Sequence, residues 1–525
     1  MADSATTAQP VIARTISVRP PGTGPGPAWG KVIDQTKCIG CHACTTACKS
    51  ENDVPLSVTR TFVKSVDVGV FPQARRAFQV TRCNQCAAAP CVTACPTRAM
   101  YVRPDGIVDF DKDICIGCKA CMAACPYDAI FINPDDHCAE KCNFCAHRLE
   151  IGLEPACVVV CPTGAIMVGD LADPDSEVAR IVNREPVAVR RPEKGTKPKL
   201  FYKGATQATL DPLAAAQPPG DTYAWAEQPR GKDIVTAPVA GANSSAAAVI
   251  SYDVAHRAPW DWRVSLYTWT KSIAAGAYLV PLLLVLLGRL ESDHVLWIWV
   301  APLVSGVFLA ITAGVLIADL EHPERFYLVL TRPQWRSWLT RGGVILAGFT
   351  VALGFHLLGG LTGLTGLTAA AAVFGGPLAL LSAVYTAYLF AQAKARDLWQ
   401  SPLLPPHLAV QATLAGSAAF LPVLTWTAES SARDAAAWLL AGAALVHLLF
   451  LAGEITLPHV TAHARLAAHA MVGGRYRSFF WAGAGLVAVS LLAPWAGAWV
   501  ALPALAGLAL YEHAYVQAGQ SVPLA

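Results

Sequence analysis

Residues 115–126 read CIGCKACMAACP, and residues 38–49 read CIGCHACTTACK. Both space their cysteines C-x2-C-x2-C-x3-C: Cys115, Cys118, Cys121 and Cys125 in one, Cys38, Cys41, Cys44 and Cys48 in the other. The run recurs twice with its third step lengthened, at Cys83, Cys86, Cys91 and Cys95 and at Cys142, Cys145, Cys157 and Cys161. Of the 17 cysteines in the chain, only Cys138 stands outside these four tetrads. Proline follows the last cysteine in three of them (Pro96, Pro126, Pro162), and Lys49 follows Cys48 in the other. A cubane cluster needs four converging thiolates, and three from a tight loop with one from a distant segment supply them. The spacing therefore predicts four 4Fe–4S clusters with all four tetrads as ligands. Structural zinc uses pairs of C-x2-C rather than triplets ending in C-x3-C-P. Disulfides do not persist in a reducing cytosol, and no secretory signal is visible.

Working outward, every cysteine lies before residue 162, while long runs of Ala, Leu, Val and Gly dominate after about residue 262. The 15 % charged and 54 % hydrophobic fractions are thus averages over two unlike halves. A formal net charge of +3 is too small to argue for nucleic acid. Residues 1–29, rich in Pro, Gly, Ala, Thr and Ser, read as a disordered tail. Residues 30–170 hold the tetrads and read as a duplicated bacterial-ferredoxin-like α/β domain with short strands. Its TRAMYVRPDGIVDFD stretch places Pro104, Asp105 and Gly106 in a hairpin turn. TGAIMVGD, after the fourth tetrad, repeats the first half of that pattern. Residues 171–261 read as a polar linker.

Residues 262–525 read as an all-α transmembrane bundle. Eight apolar segments are near the roughly 20 residues a bilayer requires: 264–288, 295–318, 342–361, 367–392, 407–427, 434–457, 478–494 and 496–516. The last two are separated only by a Pro-Trp-Ala-Gly turn. Loops on the amino-terminal side carry Arg257, Arg263, Arg325, Arg332, Arg336, Arg341, Lys394, Arg396, Arg465, Arg475 and Arg477, whereas the opposite loops offer Arg289 and Arg433. The positive-inside rule puts the crowded side in the cytoplasm. The lack of an export signal in the tail places the clusters there too. The expectation is a multi-pass protein of the inner (cytoplasmic) membrane with its iron–sulfur part facing the cytoplasm.

The cluster half resembles the four-cluster electron-transfer subunits of dimethyl sulfoxide and polysulfide reductase systems, whose tetrads it matches including C-x2-C-x11-C-x3-CP. The membrane half is similar to the NrfD/PsrC family of quinone-reactive subunits. The stretches that carry this are SIAAGAYL, DLEHPERFYLVLTRPQWRSWLTRGG, YTAYLFAQAKARDLWQSPLLPPHL and YEHAYVQAGQSVPL. The two halves usually occur as separate proteins, and here they look fused. The resemblance implies that tetrads one and four share one pair of clusters and tetrads two and three the other, with the last cysteine of each swapped. It also implies a quinone or quinol in the membrane and a molybdopterin-containing catalytic partner.

Quinone chemistry needs proton-exchanging groups near the last cluster. Lys271 lies in an otherwise apolar span beside Ala274, Ala275 and Gly276, small residues that let a helix or a flat ring approach. Ionisable residues within a span point to function, although Lys271 could instead snorkel to the interface. Asp319, Glu321, His322 and Arg325 lie just past the second span, as quinone-site residues or as an ion-pair network locking helices two and three together. His447 and Glu454 are seven residues apart, hence on one helical face, and suit either a proton relay or an interhelical hydrogen bond. His356, Glu512 and His513 are further ionisable groups in spans.

The sequence thus reads as an electron-transfer protein between a quinone pool and a soluble oxidoreductase, with substrate catalysis on the partner. Neither a dinucleotide fingerprint nor a flavin or pterin domain is visible. Two other classes remain open: a quinone-reactive, ion-translocating module of a larger complex resembling alternative complex III, and a redox sensor without turnover.

Overall fold

The computed structural model describes residues 26–216, 247–427 and 429–524. The tail expected over 1–29 therefore lies outside the described residues up to 25, as does the 217–246 part of the expected linker.

Mixed α/β structure holds the cysteines. A four-stranded sheet runs in the order Ile166–Asp170, Trp29–Asp34, Leu200–Lys203, Val187–Ala188. Strand Trp29–Asp34 is antiparallel to Ile166–Asp170 and parallel to Leu200–Lys203. Within TGAIMVGD, Ile166–Asp170 thus forms a strand that pairs across the fold with Trp29–Asp34. Met100–Val102 and Val108–Phe110 form the hairpin expected around Pro104-Asp105-Gly106, with Gly106 at φ 76° closing the turn. Residues 171–216, read from composition as linker, supply part of the main sheet, since Leu200 and Tyr202 alternate inward from Phe201 and Lys203. Four residues of alternation are too short to stand out against a Pro- and Lys-rich background. Ala248–Tyr252, just before the membrane segments, pairs antiparallel with Thr61–Val68 in a second sheet.

Among the described residues, seven helical stretches are long and apolar enough to cross a membrane: Trp262–Leu286, Leu296–Ala318, Trp338–Thr362, Thr365–Gln392, Leu404–Trp426, Ser430–Thr456 and Arg477–Gly519. They are called spans one to seven below. The sequence suggested eight, and the difference lies in the last. Span seven joins residues 478–494 to 496–516, but its 43 residues are not one rod. The helix breaks at Gly497 (φ 62°), and Arg477–Val489 packs along Ala501–Gly519 with Gly483 against the Gly507 backbone. Spans one and five are 67 % and 61 % buried, against 28–44 % for the rest, so they form the centre of the bundle. They meet where Gly276 lies directly against the backbone of Ala412 and Gly416, the close approach that small residues permit. Asp261 starts span one as its N-cap, accepting from Arg263 N at 2.8 Å.

Candidate functional site

The cysteine loops share an unusual backbone. Left-handed residues recur within them: Gly40 and His42 in the first, Gln85 in the second, Gly117 and Lys119 in the third, Phe144 and Cys145 in the fourth. Alternation of right- and left-handed residues curls successive N–H groups inward into an anion-binding nest, a geometry common at iron–sulfur sites. The folded chain then regroups the tetrads. Cys38, Cys41 and Cys44 line one hollow with Cys161. Cys115, Cys118 and Cys121 line another with Cys95. Cys48 lies among Cys142, Cys145 and Cys157, and Cys125 joins Cys83, Cys86 and Cys91. Each set takes three cysteines from one loop and the final cysteine of another tetrad.

These sets fit an iron–sulfur cluster better than their rivals. All 17 cysteines are free thiols. A tetrahedral zinc site with Zn–S of about 2.3 Å would draw its sulfurs to within roughly 4 Å of each other. Among the described residues, no three His, Cys, Asp or Glu side chains converge in that way on one ion. The donors around the sulfurs also match: Gln85 N to Cys83 Sγ (3.4 Å), Met100 N to Cys95 Sγ (3.4 Å), Ala139 N to Cys115 Sγ (3.5 Å) and Ala165 N to Cys161 Sγ (3.3 Å). Amides aimed at sulfur stabilise the thiolate form that binds iron.

The four sets follow one another across the fold. Cys44 neighbours Cys157, Cys83 neighbours Cys142, and Cys121 neighbours Cys91. The order is therefore Cys38/41/44/161, Cys48/142/145/157, Cys83/86/91/125 and Cys95/115/118/121. The first end is the open one, with Cys41 exposed. The last set abuts the membrane domain. His322 N donates to Ile116 O (3.3 Å), and Arg325 Nη1 donates to Lys112 O (2.8 Å) and Cys115 O (3.0 Å). Lys119 pairs with Glu321 at 3.0 Å and donates to Asp319 O at 3.0 Å, while Gly117 leaves room for no side chain against Glu321. Trp260 Nε1 donates to Cys118 O (3.2 Å), and Thr340 Oγ1 to Pro96 O (3.1 Å). Asp319, Glu321, His322 and Arg325 thus clasp a cysteine loop, where the sequence suggested either quinone-site residues or a lock between helices two and three. Asp319 is 7 % exposed, its Oδ1 lies 3.6 Å from Lys119 without a hydrogen bond, and burial pushes its carboxyl up to about 6.

Lys271 does not snorkel. It is fully buried, donating from Nζ to Ala383 O (2.6 Å) and Thr386 Oγ1 (2.8 Å), with Nζ 5.2 Å from the centre of the Tyr385 ring. Glu512 of span seven faces it and accepts weakly from Ser272 Oγ at 3.5 Å. Glu512 Oε2 and Tyr267 Oη are buried without hydrogen-bond partners, and Tyr267 neighbours Asp319, Tyr385 and Glu512. Spans one, four and seven so enclose a nest of polar groups between Lys271 and the Asp319 loop. Tyr267, one turn before Lys271, carried a legible signal in its spacing; Tyr385 and Thr386 did not, because only the fold brings span four there.

His447 and Glu454 are not brought together. His447 Nδ1 meets His407 Nε2 of span five at 2.9 Å, and the Tyr511 ring stands edge-on to His447 at 4.8 Å. Glu454 is half-buried beside His459, which reaches its backbone carbonyl at 3.1 Å. His407 carried no pattern of its own, since a lone histidine near a helix start has many roles. On the far half of the bundle, His356 Nδ1 pairs with Tyr278 Oη at 2.9 Å. Cys138, the cysteine outside the tetrads, is buried against Cys115 of tetrad three, 3.4 Å from His322 Nε2.

Comparison with known proteins agrees with this architecture. A family model described as a 4Fe-4S dicluster domain matches residues 75–171, and a 4Fe-4S binding domain matches 29–50. The model described as Polysulphide reductase, NrfD matches 252–512. One component of the polysulfide reductase of Wolinella succinogenes is 46 % identical over 176 residues, covering 33 % of this chain and 92 % of that protein. A component of the tetrathionate reductase of Salmonella typhimurium is 42 % identical over 199 residues, 36 % of this chain and 78 % of that protein. Protein NrfC of Escherichia coli is 41 % identical over 198 residues, 37 % of this chain and 86 % of that protein.

Proposed function

This chain belongs to the iron–sulfur subunit family of polysulfide-type reductases, fused to an NrfD membrane domain, and on that premise we propose that it carries electrons between a lipid quinone and a partner oxidoreductase through four 4Fe–4S clusters. The observation that carries this reading is the junction itself. The Cys95/115/118/121 set sits in the clasp of residues 319–325, and the Lys271–Glu512 nest lies beneath that clasp. Held there, a quinol gives up two protons and passes its electrons singly to the nearest set. Lys271 holds a headgroup oxygen, while Glu512 and Asp319 take the protons. The sixteen tetrad cysteines are the iron ligands, and bound clusters supply the one-electron steps between quinol and partner.

The partner docks at the other end, where Cys41 is exposed and Ile39 (58 % exposed) and Val160 offer apolar surface. A molybdopterin enzyme is the partner class we propose, as the resemblance of the cluster half to dimethyl sulfoxide and polysulfide reductase subunits implies; the relatives are named as components of tetrathionate and polysulfide reductases. Span seven crosses twice, because its two arms of about 20 residues lie side by side, giving eight crossings with both ends on one side. The basic loops set that side, and the cluster domain, in the cytoplasm, the membrane being the inner one. The buried His407–His447 pair, with the Tyr511 ring beside it, is the proton path in this reading.

Anaerobically isolated protein is expected to hold about sixteen iron atoms, from four cubanes of four. A short-chain quinol should then bleach the cluster absorbance. Zinc in place of iron, or clusters that no quinol reduces, would sink the reading. Asp319 adds a pH test. Its ionised form accepts the proton, so quinol oxidation should rise as pH climbs through about 6 and flatten in Asp319→Asn. A second reading, coupled ion movement, is favoured by the Tyr278–His356 pair, which puts polar groups in the far half of the bundle; proton movement across liposomes beyond the protons released by quinol itself would establish it.

A further inference from the structure

Two buried cations converge on one cysteine set, each also reaching one neighbouring set. Lys31, on the strand Trp29–Asp34, is 1 % exposed, and its Nζ makes no hydrogen bond. It lies 4.1 Å from the ring centre of Phe144, between Cys142 and Cys145 in the chain, and its neighbours in charge include Cys142, Cys145 and Cys157. Arg82 ends the strand Arg75–Arg82 and is also 1 % exposed. Its Nη1 donates to Cys157 Sγ at 2.9 Å, while Nε and Nη2 have no partner. The charged groups acting most strongly on Arg82 are Cys157, Cys44 and Cys142, with no carboxylate among them.

An unneutralised cation in a protein interior is costly to keep. It persists where an anion belongs, and a cluster held by four thiolates is an anion whose charge grows on reduction. Both cations act together only on this set, on Cys142 and Cys157; Arg82 alone also reaches Cys44 of the outer set, and Lys31 alone reaches Cys83 of the next. Lys119, beside the membrane-side set, is neutralised by Asp319 and Glu321. The outer set has an exposed ligand and so a share of water, which screens charge. Lys141 lies between the two middle sets, with Cys83, Cys91 and Cys142 as neighbours, and is shared by both.

We propose that Lys31 and Arg82 make the Cys48/142/145/157 cluster the electron-holding point of the wire, with a potential raised above those of its three neighbours. The step is a one-electron reduction: an electron enters from the adjacent cluster, the cluster gains one negative charge, and no bond forms or breaks. Quinol offers electrons in pairs and the wire takes them singly. A cluster that parks the first electron, one place in from the outer end, leaves the membrane-side cluster oxidised for the second. This inference rests on the proposed four-cluster wire.

The test is a redox titration of the full-length membrane protein followed by electron paramagnetic resonance, with iron content measured on each sample. In the unaltered protein one of four clusters should titrate at the highest potential, and Cys48→Ser should perturb that same signal. Lys31→Met and Arg82→Met should each lower its midpoint, the double variant by about the sum, while the two neighbours reached by one cation each move less and the membrane-side cluster stays in place. Lys31→Arg should restore the original midpoint by keeping the charge. Midpoints unmoved with iron retained, or a larger shift in a different cluster, would overturn the proposal. Iron loss from Lys31→Met would also overturn it, by assigning Lys31 to holding the cluster. Fewer than four clusters in the unaltered protein would instead sink the wire beneath it.

Discussion

Quinol-driven bleaching of the clusters is expected to slow about a hundredfold or more in Lys271→Met, while dithionite reduces them at the original rate. Groups that position and exchange protons contribute about 10²- to 10⁴-fold. Glu512 is the charged residue acting on Lys271, and its Oε2 has no hydrogen-bond partner. Methionine keeps most of the lysine's volume, so the cavity term is small. Removing a buried charge also spares the helices its desolvation cost, although Glu512 then lacks a counter-ion. Iron content should be unchanged, since no ligand cysteine touches Lys271 in the bundle. Stopped-flow absorbance with the two reductants separates the outcomes. Equal slowing with both would mean the clusters themselves were disturbed. An unchanged quinol rate would leave Lys271 as a helix-packing cation bonded to Ala383 and Thr386 and nothing more.

The cysteine spacing made half of this molecule legible because cluster ligation is local: three ligands per set sit within one loop, and the left-handed turns at Gly40 and Gly117 follow from glycine in the motif. Apolar run length made the membrane segments legible for the same reason. What the sequence hid was assembly between distant segments. Leu200–Lys203 is too short for its alternation to outweigh its polar surroundings, yet it lies centrally in the main sheet. The clasp of Asp319, Glu321, His322 and Arg325 on residues 112–119 joins groups about 200 positions apart. Two of its bonds end on backbone carbonyls of Lys112 and Cys115, which no side-chain pattern announces.

The nest around Lys271 divides in the same way. An ionisable residue in a span is visible from composition, and Tyr267 is visible from helical spacing. Glu512 was visible as a charge but not as the charge facing Lys271, because that needs spans one and seven side by side. His447 shows the limit of face arguments. Seven residues of separation do place Glu454 on its face, but a partner on another helix is nearer, and His407 takes its Nδ1.

Gly276→Val should be the most damaging single change in the bundle, because the added carbons would enter backbone, not side chain. A Cβ at Gly276 meets Ala412 O and the Gly416 backbone, and one at Gly416 would meet Gly276 in turn. Side chains relieve crowding by changing rotamer, whereas two helix backbones must separate along their whole crossing. Overpacking costs about 1–3 kcal/mol even where side chains can yield. At this crossing the expected fall in Tm is roughly 5–10 °C, scaling from a few degrees per kcal/mol. Gly314→Val and Gly442→Val, at span positions with nothing within 4 Å of a new Cβ, should leave the unfolding curve in place. Thermal unfolding followed by circular dichroism in detergent compares the three. Lys271 lies little more than one turn before Gly276, so separation of spans one and five should also slow quinol oxidation. A Gly276→Val protein with unaltered melting would mean that spans one and five do not cross at this contact, and the polar nest they help to enclose would lose its geometry with it.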